Sequence, residues 1–367
     1  MPAPPGGHLR PSLPRCAASI PLLAYTEIMA ARLAAVTPRR FALAWLAGLA
    51  AALLLTWWLR AGNSASVAFV FVCSVDNVPP PDFPDVLFTF ALEPLPVFLL
   101  LSAAAAYLVM WAHVRATGRG RLFPAWRLAA FLVGIGLVIL TVFGPLAGYD
   151  RVFLFVHMIQ HFILITIAPP LILLGSPMTL LLIAAGPRRR ERWIYPITHA
   201  RWFELFTNPV VGLVLFAAVP VIWYITPLFE RSFTNDWLHF GGYALFLFAG
   251  IHYWWPIVGG NPTHWNLPHP VRLFYLFALV PIHAFLGSLF YEPSRVLYEE
   301  LAAQPRLWGP SPLLDQQIGG AIMFLAGEAL GLIATIAAAA AWARADEREA
   351  KRADARLARE KARASAP

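Results

Sequence analysis

Residues 152–175 read VFLFVHMIQHFILITIAPPLILLG, 24 consecutive positions without an Asp, Glu, Lys or Arg. At a helical rise of about 1.5 Å per residue the run is roughly 36 Å long, more than a hydrocarbon core of about 30 Å requires. Its three strongly polar side chains, His157, Gln160 and His161, are costly in lipid and therefore belong on a face turned toward other protein. The rest of the chain agrees with a membrane setting. Of 367 residues, 59% are hydrophobic and 13% charged, against about 45–50% and 25% in soluble domains. Seven further apolar stretches lie at 41–59, 95–112, 128–148, 209–229, 237–258, 271–291 and 318–343. The expected fold is all-α, a polytopic membrane helix bundle of eight spans. The 14 Trp, 10 Tyr and 26 Phe suit anchoring at the headgroups.

The net charge of +8 follows from topology rather than nucleic-acid binding. With the N-terminus cytoplasmic, 23 of the 28 Lys and Arg fall on the cytoplasmic side, with Arg272 at that margin of its span. The positive-inside rule then puts both termini in the cytoplasm. Residues 1–40 read as a disordered extension, with Met29 an alternative start. The 41–59 segment is the first transmembrane helix or a signal-like segment, and 60–94 an exterior loop holding Pro79-Pro80-Pro81. The seven remaining spans form a membrane domain over 95–343. Residues 344–367 make a charged cytoplasmic tail suited to anionic lipid. The two cysteines, Cys16 and Cys73, match no CxxC pattern, so soft-metal chemistry falls to His and Met.

Few ionisable groups lie within the spans, and each marks a candidate site. His157 and His161 sit at i and i+4 on one face, the spacing by which two imidazoles ligate one metal. The same spacing serves two histidines bonded to carbonyls or to other helices. Helical rise places the pair roughly 7 and 13 Å below the outer surface, a depth shared with His283, while His239 lies at the outer mouth of its span. Their spans need not be neighbours. Gln160 lies beside the pair and Met158 about 100° away. Met323 is either a thioether ligand suited to Cu(I) or a gap-filling core residue. Glu328, about 140° from Met323, is expected to act beside a site rather than as a direct ligand. His252, His113, His199, His264 and His269 read as interfacial or loop residues. Pro281 is expected to kink its span near His283. Gly134, Gly136, Gly241, Gly242, Gly319 and Gly320 should permit close helix approach. No Walker loop, nucleotide fingerprint, nucleophile elbow or metalloprotease motif is present, so the chain reads as a non-enzyme.

The run His157-Met158-Ile159-Gln160-His161, followed by Ala168-Pro169-Pro170-Leu171 and Leu174-Gly175-Ser176-Pro177, resembles the signature of the CtaG-type cytochrome c oxidase assembly factors. Two further blocks are similar to that family: Trp254-Trp255-Pro256 with Asn261-Pro262, and Asp315-Gln316 with Gly319-Gly320, Met323 and Glu328. The resemblance covers residues 90 to 343, so one span is additional to the family's seven. It implies a multi-pass protein of the bacterial plasma membrane that helps assemble haem-copper oxidase by supporting copper insertion into the catalytic subunit. His157, Gln160, His161, His239, Asp315, Met323 and Glu328 stand at family motif positions, and His283 follows. The expected cargo is Cu(I), delivered by a periplasmic copper donor and held by His157 and His161 with His239 or His283. Met158 or Met323 would pass it inward, with Gln160, Asp315 and Glu328 supporting. The alternatives are a haem-binding electron carrier using His161 and His283 as axial ligands, and a metal-free assembly scaffold.

Overall fold

The computed structural model describes residues 36, 38–61, 80–83 and 93–364. Cys16, Cys73, Met29 and most of the 60–94 segment lie outside them. The described residues form helices joined by short connections, with no strand among them. In chain order the principal helices are α1 (Pro38–Ala61), α2 (Pro94–Val114), α3 (Ala125–Phe143), α4 (Leu154–Phe162), α5 (Ala168–Leu174), α6 (Pro177–Ala184), α7 (Pro209–Ile225), α8 (Leu228–Thr234), α9 (Asp236–Val258), α10 (His269–Phe277), α11 (Leu279–Tyr291) and α12 (Pro312–Ala364). The all-α polytopic bundle expected from the sequence is what the chain forms.

Among the described residues, six helical segments are long and apolar enough to cross a membrane, or seven when the bent pair α7 and α8 counts as one. The eighth expected span is α9. Its 23 residues suffice in length, but Asp236, His239 and His252 fall within it and dilute its apolar character. The 209–229 span is shorter than expected. It ends at Ile225, and after Thr226 and Pro227 the chain turns by 65° into α8.

Proline explains two other interruptions. The 152–175 span is helical from Leu154 to Leu174, but between α4 and α5 residues Ile163–Ile167 widen into a π-helical stretch. Pro169 and Pro170 lack an N–H, and their rings crowd the carbonyls four residues back, which the wider turn accommodates. Gly250 of α9 packs directly on this bend, against Ile165 and Pro169. In the 271–291 span, α10 gives way to α11 at Ala278, because Pro281 cannot donate to the carbonyl of Phe277.

α12 runs beside α11, where Gly287 faces the carbonyl of Gly320 and the backbone of Phe324. α12 also lies beside α4, with Gly319 against Met158 and Phe155. Gly134 meets Ile172 and Gly242 meets Trp223, but Gly136 and Gly241 face open space and bring no helix closer. α1 rests on α2 through Trp45 and Phe98, whose ring centroids are 6.1 Å apart. Its Leu43, Leu54 and Trp57 are exposed. The core lies among α2, α3, α4, α5, α7, α9, α11 and α12.

Candidate metal centre

The first turn of α4 begins at Phe153, which has no capping side chain. Its free N–H groups are satisfied from 160 residues away. The Asp315 carboxylate on α12 accepts from the backbone N–H of Leu154 at 2.9 Å and of Phe155 at 2.9 Å. Arg306 closes the arrangement with an ion pair to Asp315 at 3.0 Å. A buried anion at a helix N-terminus meets both the orphan donors and the positive end of the dipole. α4 is thereby anchored in position and rotation, and with it the two histidines one and two turns further on.

His157 and His161 face the interior together, their ring centroids 4.0 Å apart. Both are buried. Gln160, between them, donates through Nε2 to the Thr141 carbonyl of α3 at 2.8 Å, and its Oε1 lies 3.1 Å from the Tyr243 hydroxyl. α9 contributes His239, whose ring centroid lies 5.8 Å from that of His157. The Nε2 of His239 is 3.0 Å from the Asp150 carboxylate and 2.7 Å from the Tyr243 hydroxyl, which itself donates to Asp150. α7 contributes Tyr224, whose hydroxyl is 2.5 Å from His161 Nδ1.

Asp150 sits in the connection between α3 and α4, yet it is fully enclosed. The neighbouring Arg151 turns the other way and pairs with Asp236 at 2.7 Å. One ligand-type atom each from Asp150, His157 and His239 lie within 4.8 Å of one another.

Four nitrogens in this pocket are buried without a hydrogen-bond partner: Nδ1 and Nε2 of His157, Nε2 of His161 and Nδ1 of His239. Leaving such a group unpaired costs about 1–3 kcal/mol, so a partner for these nitrogens is favoured. The bonds present already set suitable tautomers. A His239 that donates from Nε2 to Asp150 offers a lone pair at Nδ1, and a His161 that donates from Nδ1 to Tyr224 offers one at Nε2. The unpaired nitrogens fit a cation that accepts imidazole.

The other sequence candidates lie elsewhere. His283 donates from Nδ1 to the Leu279 carbonyl of its own helix at 2.9 Å, with Nε2 near Thr166, and its ring lies between Phe162 and Phe216. Met158 is buried with its side chain toward Gly319, and Met323 is buried in the apolar core. Glu328 is half-buried and makes no hydrogen bond or ion pair among the described residues. Sequence reasoning did not single out Asp150, Tyr243, Tyr224, Thr141 or Arg306. Tyr243 carried a legible signal, four residues after His239 on the same helical face. Asp150 did not, because nothing in a loop residue announces that the loop is folded inward.

Fold and site define a class: a helical membrane protein holding three imidazoles and a carboxylate in an enclosed pocket between helices. The chain belongs to the family of cytochrome c oxidase caa3 assembly factors (Caa3_CtaG), which matches residues 105–345 and so includes every member of the cluster. It is similar to an uncharacterized protein of Mycobacterium bovis, 32% identical over 243 residues, which are 64% of this chain and 37% of that protein. An uncharacterized protein of Mycobacterium leprae is 35% identical over 249 residues, 66% of this chain and 38% of that protein. The match thus spans little more than a third of the length of these relatives. No solved structure matches.

Proposed function

We propose that the chain acts in the bacterial plasma membrane as an assembly factor for haem-copper oxidase, supporting copper insertion into the catalytic subunit. Cu(I) is the cargo, taken from a periplasmic donor and held by His157 and His161, with His239 beside them in the same cluster. The observation that carries this reading is the set of four unpartnered imidazole nitrogens on three rings in one buried pocket. Neutral imidazoles suit copper, and the lack of thiolate leaves the ion exchangeable, as a donor to another protein requires. Asp150 and Tyr243 orient His239, Tyr224 orients His161, and Asp315 fixes the helix that carries His157 and His161. Within this reading both termini face the cytoplasm, in keeping with the distribution of Lys and Arg, and the role is delivery rather than catalysis.

The haem reading has less support. A porphyrin needs an open slot beside each axial ring, whereas His161 stacks on Phe246 at 3.8 Å between centroids. The test is made in cells lacking the protein. Restoring the unaltered chain should return copper-loaded oxidase, and His157→Ala with His161→Ala should leave the catalytic subunit without copper. Full assembly with the double variant would instead favour a metal-free scaffold.

A further inference from the structure

The histidine cluster is not uniform along α4, and resting on the metal-site reading above, we infer that it comprises two adjoining positions of different hardness that share His157. The loop-side position is formed by Asp150, His157 and His239 and takes a divalent ion of the Zn(II) type. The deeper position is formed by His157 and His161 and takes Cu(I).

The division rests on the arrangement of donors. Asp150, His157 and His239 bring one ligand atom each within 4.8 Å of one another, and His161 falls outside that group. Nevertheless the His161 ring is the nearer to His157, at 4.0 Å between centroids against 5.8 Å for His239. Of the three rings in the cluster, His157 alone has both of its nitrogens unpartnered, so its two sides are free to serve different ions. Four residues of helix separate His157 from His161, about 6 Å along the axis. His161 and its surroundings bring no charge to the deeper position, where Tyr224, Phe246 and Trp223 enclose it.

Charge and ligand type then sort the ions. Burying a doubly charged ion costs far more than a singly charged one, and an anionic carboxylate beside it offsets that cost. Asp150 supplies that carboxylate, and it lies on the loop side alone. With its proton moved to Nδ1, His239 would ligate through the Nε2 that lies beside Asp150, and two imidazoles and a carboxylate with a water in the fourth place match the tetrahedral preference of Zn(II). Two neutral imidazoles in an enclosed apolar setting match Cu(I), a soft monovalent ion that accepts two ligands. A divalent ion from outside can therefore occupy the entry position without filling the deeper one, and it competes with Cu(I) only for His157.

The experiment uses the full chain purified in detergent, with zinc sulfate and an anaerobic Cu(I) salt as separate probes, and measures affinity and metal per chain. His161→Gln should weaken Cu(I) by about tenfold or more and leave Zn(II) unchanged, and Asp150→Asn should do the converse. X-ray absorption on the unaltered chain should give Cu(I) with two nitrogen neighbours and Zn(II) with four nitrogen or oxygen neighbours, which keeps the test open should a variant fold poorly. Equal weakening of both ions by both substitutions, or the same first shell for both, overturns the two-position inference and leaves the metal site standing. An unaltered chain that takes up neither ion overturns the site itself.

Discussion

Buried histidines in this protein fall into two groups that differ in where their nitrogens go. His283 and His252 each point Nδ1 at the carbonyl four residues earlier in their own helix, Leu279 at 2.9 Å and Phe248 at 3.0 Å. Exposed His199 does the same with Tyr195 at 2.9 Å. These rings are satisfied locally and would be equally content in any helix. His157, His161 and His239 make no such bond to their own helices. The side chains of Asp150 and Tyr243 meet His239 and that of Tyr224 meets His161, and four nitrogens are left over. An imidazole inside a membrane therefore signals a site when it declines the carbonyl within reach and remains unpaired despite burial.

Breaking the support of the second group should produce the largest change in stability. Asp315→Ala strands the N–H groups of Leu154 and Phe155 and leaves Arg306 without its carboxylate. A buried pair broken on one side costs about 3–5 kcal/mol. The thermal midpoint in detergent should fall clearly, and Arg306→Leu in the same chain should recover part of the loss. An unchanged midpoint would mean that α4 is held by packing alone.

A smaller effect is expected from Tyr243→Phe. It removes the hydroxyl that bridges His239, Asp150 and Gln160 while keeping the ring. Loss of such an orienting partner lowers Zn(II) affinity by about 10–100-fold, measured by competition with a zinc chelator, with little change in the melting curve. Affinity equal to that of the unaltered chain would show that His239 needs no orientation. The smallest effect belongs to the locally satisfied group. His283→Leu should cost no more than about 1–2 kcal/mol and leave copper binding within twofold, and a large loss of copper would bring His283 back into the site.

Residue order alone made the spans legible to within a few positions. The 95–112 stretch becomes α2 over Pro94–Val114, and the paired histidines announce a common helical face. The bend after Ile225 was less visible, because Thr226-Pro227 interrupts the run without ending its apolar character. Which helices meet was not legible, and that question separated His239 from His283. Both lie in apolar stretches, and their different fates depend on α9 crossing α4 at the π-helical bend and α11 lying along α12. Asp315 is the same lesson in another form: its tie to Leu154 and Phe155 spans 161 and 160 residues of chain, and no local pattern encodes it.

Copper bound per purified chain, measured after loading with Cu(I) and washing with a weak chelator, tests most directly whether the unpaired imidazoles hold the cargo. The account predicts metal retained by the unaltered chain and by His252→Ala with His283→Ala, and lost from His157→Ala with His161→Ala. Equal copper in all three would contradict it.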